Sequence, residues 1–276
     1  NKQSIPLLLM NARLTEKSFR RWKLFNRYTQ NIFNHISAAY PSNLETKKYL
    51  KLLNVKKIKH VGNLKFSEIN NNRNNDFSKS FLSTINKRTI WCASSTHPGE
   101  EKIIAKSHLI LKKRYSNLLT VIIPRHVNRT NQINNELDQL GLKTIVRTSN
   151  KKINFDTDIY LVDTYGETKK FFSISKIAFI GGSMVNHGGQ NPIEPARFNL
   201  NIIHGPYINN FKDIYKLFNK KKIAHKIINL DQLNKVSLQL LKKKKKKKIN
   251  INKIGNLILK NSIIEVLKVF KNEIKK

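Results

Sequence analysis

The stretch "IAFIGGSMVNHGGQNPIEPA", residues 177–196, holds four of the chain's ten glycines and two of its seven prolines. An apolar run, Ile177–Ile180, stops at Gly181-Gly182-Ser183, a second glycine pair follows, and a helix start carries Glu194 in its first turn. Strand, glycine-rich loop and helix in that order are the parts of an open α/β sheet. Glycine lets backbone N–H groups approach a phosphate closely, and a helix N-terminus favours negative charge. Pro192 suits a first helical turn, where its missing N–H costs nothing. Glu194 is badly placed to meet a phosphate but well placed to accept hydrogen bonds from the vicinal hydroxyls of a ribose. The simpler alternative is that the glycines only make turns and Glu194 only complements the helix dipole.

Working outward, strand-like runs appear at 5–10, 36–39, 58–61, 90–93, 118–123, 144–147, 159–162, 177–180 and 201–204. Most are short, apolar and non-alternating, as strands buried on both faces of a parallel sheet are. Helical patterns fill the gaps. Over 15–36, Phe19, Trp22, Phe25, Ile32 and Ile36 recur at helical spacings, and Ser42 with Glu45 forms a capping-box signature for a helix to about Leu53. The alternation predicts doubly wound α/β architecture. The tract "SEINNNRNND" (67–76) marks a linker at 68–76. The expected layout is therefore the remainder of one α/β domain over 1–67, a full nucleotide-binding domain over 77–249 and a closing helix over 250–276. The first residue is Asn1 and a strand follows at once, so the expectation is a chain entered in mid-domain.

The chain is 276 residues long with 39% hydrophobic residues, enough for a sizeable core and against wholesale disorder. The single cysteine, Cys92, excludes an intrachain disulfide. No run reaches the length of a membrane-spanning helix. A formal net charge of +36 calls for a polyanionic partner such as nucleic acid, an anionic membrane or a phosphorylated lipid. Lys, Asn and Ile recur in every segment, however, as coding bias produces, so charge alone does not name the partner. The run Lys242–Lys248 fits either view as a solvated helix end or loop.

In open α/β sheets ligands bind beyond the carboxyl ends of the strands. Four unusual loops fall there: "SSTHPGEE" (94–101), "PRH" (124–126), "DTYGE" (163–167) and the glycine-rich stretch itself. Thr96, His97, Gly181, Gly182 and Ser183 are candidate ligand contacts on this reasoning. Arg125 offers a fixed fork of donors to a phosphate, although a lone arginine is more often a surface residue. His97 can bond a substrate or cap the following helix, and taken alone capping is the simpler reading. His126 and His187 show no metal spacing, so no metal and no cofactor is expected.

At these residues the sequence resembles the bacterial Kdo transferases, the 3-deoxy-D-manno-octulosonic acid transferases of lipopolysaccharide synthesis, which are GT-B glycosyltransferases. The matching segments are "NARLTEKSFRRW" (11–22), "GNLKF" (62–66), "SSTHPGEE", "PRH", "DTYGE" and "GGSMVNHGGQNPIEPA" (181–196), in family order. The resemblance implies a GT-B type fold of two Rossmann-like doubly wound domains, the first incomplete here. It implies CMP-Kdo as donor, the lipid A precursor as acceptor, inversion at the anomeric carbon and no metal. Carried over residue by residue, Pro124 and Arg125, then Tyr165, Gly166 and Glu167, then Asn191, Pro192, Ile193 and Glu194 correspond to the CMP-binding elements. Lys65 corresponds to a residue that stabilises the transition state, sensible because phosphate charge grows on CMP as the glycosidic bond breaks.

The family's general base is a glutamate upstream of Asn1, and Glu16 belongs to a different motif. The expectation is a chain that binds CMP and does not transfer Kdo by itself. The family also places the enzyme at the cytoplasmic face of the inner membrane, where Arg20, Arg21, Lys23 and Arg27 suit an anionic surface or the acceptor's phosphates. In such folds the donor lies in the cleft and the last helix often crosses back to the first domain. Two rivals are another GT-B nucleotide-sugar enzyme (an epimerase or UDP-sugar transferase) and a basic nucleic-acid-binding protein. The second lacks any nucleic-acid-reading motif and any interleaving of aromatics with charge, so no nucleic-acid partner is expected.

Overall fold

The computed structural model describes residues 5–68, 77–243 and 249–274. The expected linker therefore lies, apart from Glu68, outside the described residues, as does the Lys242–Lys248 run apart from its first two lysines. The chain divides into two compact units, one of residues 1–70 with 250–276, the other of residues 71–249.

In the first unit, strands β1 (Leu7–Ala12) and β2 (Ile36–Pro41) pair in parallel. Between them lie helices α1 (Glu16–Leu24) and α2 (Asn26–Asn34), which corrects the single helix expected over 15–36. The break falls at Phe25, whose N–H turns back to the Trp22 carbonyl at 3.3 Å. The buried Thr29 hydroxyl donates to that same carbonyl at 2.5 Å. With Trp22 O held this way, the helix ends and restarts. Helix α3 (Leu44–Leu52) is capped by Asn43, whose Oδ1 accepts the Thr46 N–H at 2.7 Å. Ser42 is thus not the cap; its hydroxyl donates to the Ala12 carbonyl across the strand ends at 3.0 Å. The run 58–61 forms only a single bridge, Ile58 to Ala39, instead of a strand.

The second unit opens with α4 (Lys79–Ile85) and then alternates strand and helix, except between β5 and β6: β3 (Thr89–Thr96), α5 (Glu100–Lys112), β4 (Leu118–Pro124), α6 (Thr130–Asp138), β5 (Thr144–Val146). It continues with β6 (Ile159–Leu161), α7 (Thr168–Ile174), β7 (Ile177–Ile180), α8 (Ile193–Arg197), β8 (Asn201–His204), α9 (Lys212–Lys220), β9 (Ala224–Lys226) and α10 (Leu230–Leu241). Among the described residues these strands form one seven-stranded sheet in the order β5-β6-β4-β3-β7-β8-β9, every neighbouring pair parallel. Such a sheet is covered on both faces, which is why its strands read as unbroken apolar runs. Trp91, Ile104, Leu118, Ile122, Ile133, Leu161 and Phe179 belong to one fully buried cluster. Burial of each such side chain stabilises the fold by about 1.5–3 kcal/mol.

The amino edge of this sheet is tied by polar groups. The buried Arg88 guanidinium donates to four backbone carbonyls, those of Asn117, Leu118, Asn154 and Thr157, at 2.6–2.9 Å. Nearby, Thr120 Oγ1 meets both Trp91 Nε1 at 2.5 Å and His108 Nδ1 at 2.7 Å. His108 Nε2 and the Lys112 ammonium share one oxygen of Asp158. These groups hold that end of the sheet rigid and leave the opposite, carboxyl edge to the loops.

Helix α11 (Ile251–Ile274) belongs to the first unit. The Tyr40 hydroxyl donates to the Glu265 carbonyl at 3.2 Å, and the Glu265 carboxylate holds Lys59 at 2.8 Å and Lys268 at 3.0 Å. Gly255 passes so close to Phe66 that a Cβ there would lie 2.0 Å from its carbonyl oxygen. Among the described residues no helix is long and apolar enough to cross a membrane.

Candidate nucleotide site

From β3 the chain works outward through β4 to β5 and β6, then returns to lay β7 on the other side of β3. The topological switch point therefore lies between β3 and β7, and it is beyond such a point that open α/β sheets bind ligands. Strands β6, β4, β3 and β7 are consecutive neighbours and all parallel, so the four singled-out loops leave one stretch of one edge.

The glycine-rich loop closes on itself. Gly181 N–H continues the β ladder to Ser94 O at 2.8 Å, and Gly182 O and Gly181 O accept the N–H groups of Gly189 and Gln190. The two glycine pairs are thereby bonded to each other. At Gly181 a Cβ would lie 2.2 Å from the Ser95 carbonyl oxygen and 2.6 Å from Thr96 Cα. Only glycine lets β3 and β7 end this close together. Next to it, Gly182, Ser183 and Met184 donate their N–H groups to the Glu100 carboxylate at 2.7, 3.0 and 2.9 Å. This corrects the expectation that those amides cradle a phosphate. A carboxylate of the chain itself occupies them.

Glu100 is wholly buried at the start of α5 and accepts a fourth N–H, from His97, at 2.9 Å. Burial pushes its carboxyl group upward from the usual range, and the four N–H donors work against that push. His97 does not cap α5 by its side chain, since that helix starts after Gly99 with no side-chain cap. Its ring stacks on His187, with centroids 4.2 Å apart, and stands 6.1 Å from the His126 ring. Its Nε2 lies 3.2 Å from the Gln190 amide nitrogen. With the Gln190 amide nitrogen turned toward it, Nε2 accepts, and this arrangement places the ring proton on Nδ1. Burial, followed by His187, His126, Arg125 and Arg129, pushes the His97 pKa down to about 4. The ring is neutral at pH 7. Thr96, the last residue of β3, is fully buried, and its hydroxyl finds no hydrogen-bond partner among the described residues.

Pro124 ends β4, and Arg125 leaves it exposed, anchored by its N–H to Thr96 O at 2.9 Å. Arg129 is held by a two-pronged bond to the buried Glu101, at 2.9 and 3.2 Å. Beyond β6, Tyr165 is largely exposed and Gly166 takes φ +83°, a conformation L side chains rarely adopt. Glu167 turns its carboxylate to Arg147, Thr164 and Lys170. Burial raises the pKa of that carboxyl group, but those partners outweigh it and bring it down to about 2. Glu167 thus fixes its loop through its side chain. At the end of the glycine-rich segment, Asn191 Oδ1 accepts the Ile193 N–H at 3.1 Å. Pro192 sits one residue before α8 and not in its first turn, Ile193 is buried, and Glu194 is half-buried in that turn.

Lys65 lies in the other unit, exposed on the 3-10 turn Leu64–Ser67. Among the described residues no three His, Cys, Asp or Glu side chains gather where they could hold a metal ion. Sequence reasoning missed Glu100, Glu101, Arg129 and Gln190. The available signal was the acidic pair directly after a glycine at a helix start.

Comparison with known proteins follows the same lines. Residues 1–68 match the family described as 3-deoxy-D-manno-octulosonic-acid transferase (kdotransferase). The 3-deoxy-D-manno-octulosonic acid transferase of Haemophilus influenzae is 37% identical over 219 residues, covering 78% of this chain and 51% of that protein. The chain spans about half the length of the curated relatives it matches. The C-terminal CMP-Kdo binding domain of WaaA from Acinetobacter baumannii superposes with TM-score 0.54 at 25% identity, over 63% of this chain and 88% of that domain. The S. aureus MnaA–UDP co-structure superposes with TM-score 0.58 at 12% identity, over 99% of this chain and 71% of that one, and shows the fold alone. The architecture is α/β of the GT-B type.

Proposed function

The chain belongs with the 3-deoxy-D-manno-octulosonic acid transferases, and on that premise we propose that residues 71–249 bind CMP-Kdo at the carboxyl edge of their sheet. The observation that carries this reading is the alignment of four loops beyond β6, β4, β3 and β7, around one switch point. Glu194 accepts the ribose hydroxyls, Arg125 meets the phosphate, and Tyr165 and Gly166 cover the base or the sugar. The protein passes Kdo from this nucleotide to the lipid A precursor with inversion. As the bond to CMP breaks, charge collects on the phosphate, and a guanidinium beside it stabilises the transition state more than the bound donor.

The same reading locates the protein at the cytoplasmic face of the inner membrane. In support, α1 and α2 expose Trp22, Leu24, Phe25, Tyr28 and Ile32 among Arg20, Arg21, Lys23 and Arg27. Exposed apolar side chains on a basic segment suit an anionic lipid interface, each cation near it contributing about 1 kcal/mol. The decisive measurement is calorimetric titration of the chain with CMP and, separately, UMP. Saturable binding of CMP, at least tenfold tighter than UMP, is expected. Preference for UMP would move the chain to the UDP-sugar enzymes.

A further inference from the structure

Four backbone N–H groups converge on one buried carboxylate, Glu100, and they do so at the switch point itself. Glu100 Oε1 takes the N–H groups of Ser183 and Met184, and Oε2 those of His97 and Gly182. The two oxygens therefore tie the loop after β3 to the loop after β7, residues 82–84 positions apart in sequence. Charge-assisted bonds of this kind are about twice as strong as neutral ones. The start of a thirteen-residue helix adds a further favourable field for a negative charge.

The consequences run outward from the carboxylate. Gly182 O accepts Gly189 N–H and Gly181 O accepts Gln190 N–H, so fixing the first glycine pair fixes the second. Gln190 in turn holds Nε2 of His97, whose own backbone is held by Glu100. His187, carried between the glycine pairs, stacks on that ring.

We propose that Glu100 is a positioning residue of the nucleotide site: an internal anion that occupies the amide nest of Gly182, Ser183 and Met184 and thereby sets His97, Gln190 and His187 before any ligand arrives. This rests on the nucleotide reading above and refines it. The ligand's phosphate meets side-chain donors, His97 Nδ1–H and Arg125, and not the amides of the first glycine pair. A carboxamide cannot replace the carboxylate. It offers one acceptor oxygen, and its NH₂ faces N–H donors that have nowhere else to turn.

The experiment uses the whole 276-residue chain, ¹⁵N-labelled at histidine, with CMP and cytidine as probes. In the native chain without nucleotide, His97 is expected as one tautomer, protonated at Nδ1 and neutral down to about pH 5. Tautomer exchange at His97 that resolves only on adding CMP would overturn the proposal, and this needs no variant. In Glu100→Gln, CMP affinity should fall at least tenfold and the single-tautomer signature should be lost. Thr120→Val, which disturbs the polar cluster at the opposite edge, serves as the control for simple destabilisation; it should lower the melting temperature and leave CMP affinity and the His97 signals in place. Should Glu100→Gln not fold, Glu100→Asp, which keeps the charge but withdraws it by one methylene, is read the same way. CMP binding by the native chain that persists undiminished in a folded Glu100 variant overturns the role of Glu100 alone. Absence of CMP binding by the native chain overturns the nucleotide reading together with it.

Discussion

Replacing Gly181 by alanine isolates the close approach of β3 and β7. No positive φ is involved at this position, so the cost comes from contact. The new Cβ would lie 2.2 Å from Ser95 O, 2.6 Å from Ser95 C and 2.6 Å from Thr96 Cα, all backbone atoms with no rotamer to escape through. Relief requires the two strand ends to part by about 1 Å, toward an ordinary carbon contact distance. That movement stretches the Gly181–Ser94 ladder bond, now 2.8 Å, and disturbs the loop that donates to Glu100. Overpacking of this kind costs about 1–3 kcal/mol, and the backbone setting argues for the upper end, about 3 kcal/mol. With a urea slope of about 1–3 kcal/mol/M, the midpoint falls by about 1–3 M. Trp91 is wholly buried in β3, so its fluorescence reports the transition of this sheet. Gly166→Ala is the companion, because that glycine has φ +83° and nothing within 4 Å of a built Cβ. It carries only the left-handed backbone cost of about 1–2 kcal/mol. A Gly181→Ala midpoint equal to that of the native chain, or above that of Gly166→Ala, would refute the argument from contact.

Glu194→Gln should weaken CMP by about ten- to a hundredfold, the loss of charged hydrogen bonds worth about 1.5–3 kcal/mol, in a chain that still folds; unchanged calorimetric affinity removes Glu194 from the ribose. Arg125→Ala should weaken CMP more than cytidine, and equal losses would take the guanidinium off the phosphate. Glu167, held at about 2, lies below its unfolded value, so its contribution to stability is complete above pH ~4.5 and is lost as the pH falls toward 2. Urea midpoints measured from pH 6 to pH 2 should therefore drop less in Glu167→Gln than in the native chain; parallel curves would show that the Arg147 pair adds nothing.

The strands at 177–180 and 201–204 were legible to the residue because both faces of each are buried, so β7 is wholly apolar and β8 carries Ile202-Ile203 between its polar ends. Strand β9 was not, because Ala224–Lys226 is a three-residue edge strand with no apolar pattern of its own. The division of α1 from α2 was hidden for a different reason. Phe25 keeps the helical spacing, and the break depends on hydrogen bonds to the Trp22 carbonyl, one of them from Thr29 seven residues on. At the site, local composition named the loops but not their internal bonds. The glycines read as room for a phosphate, since nothing in the spacing reveals that Glu100 folds across more than eighty residues to fill that room. The same limit applied to Glu167, whose partner Arg147 is brought to it by the pairing of β5 with β6.

Helix α11 belongs to the first unit although it follows the whole second unit in sequence. The Tyr40 hydroxyl waits for a carbonyl 225 residues downstream. During synthesis, the sheet of residues 71–249 can emerge and fold while the amino-terminal segment still lacks its closing helix. At about 5–20 residues per second, some ten to forty seconds pass between the two halves of one folding unit. Over that interval Tyr40 and Lys59 have no Glu265 to meet, and Ala38 lacks the Val269 that shares its buried cluster. The order of assembly is therefore written into the chain: the unit of residues 71–249 first, and the unit of Tyr40 and Glu265 after it.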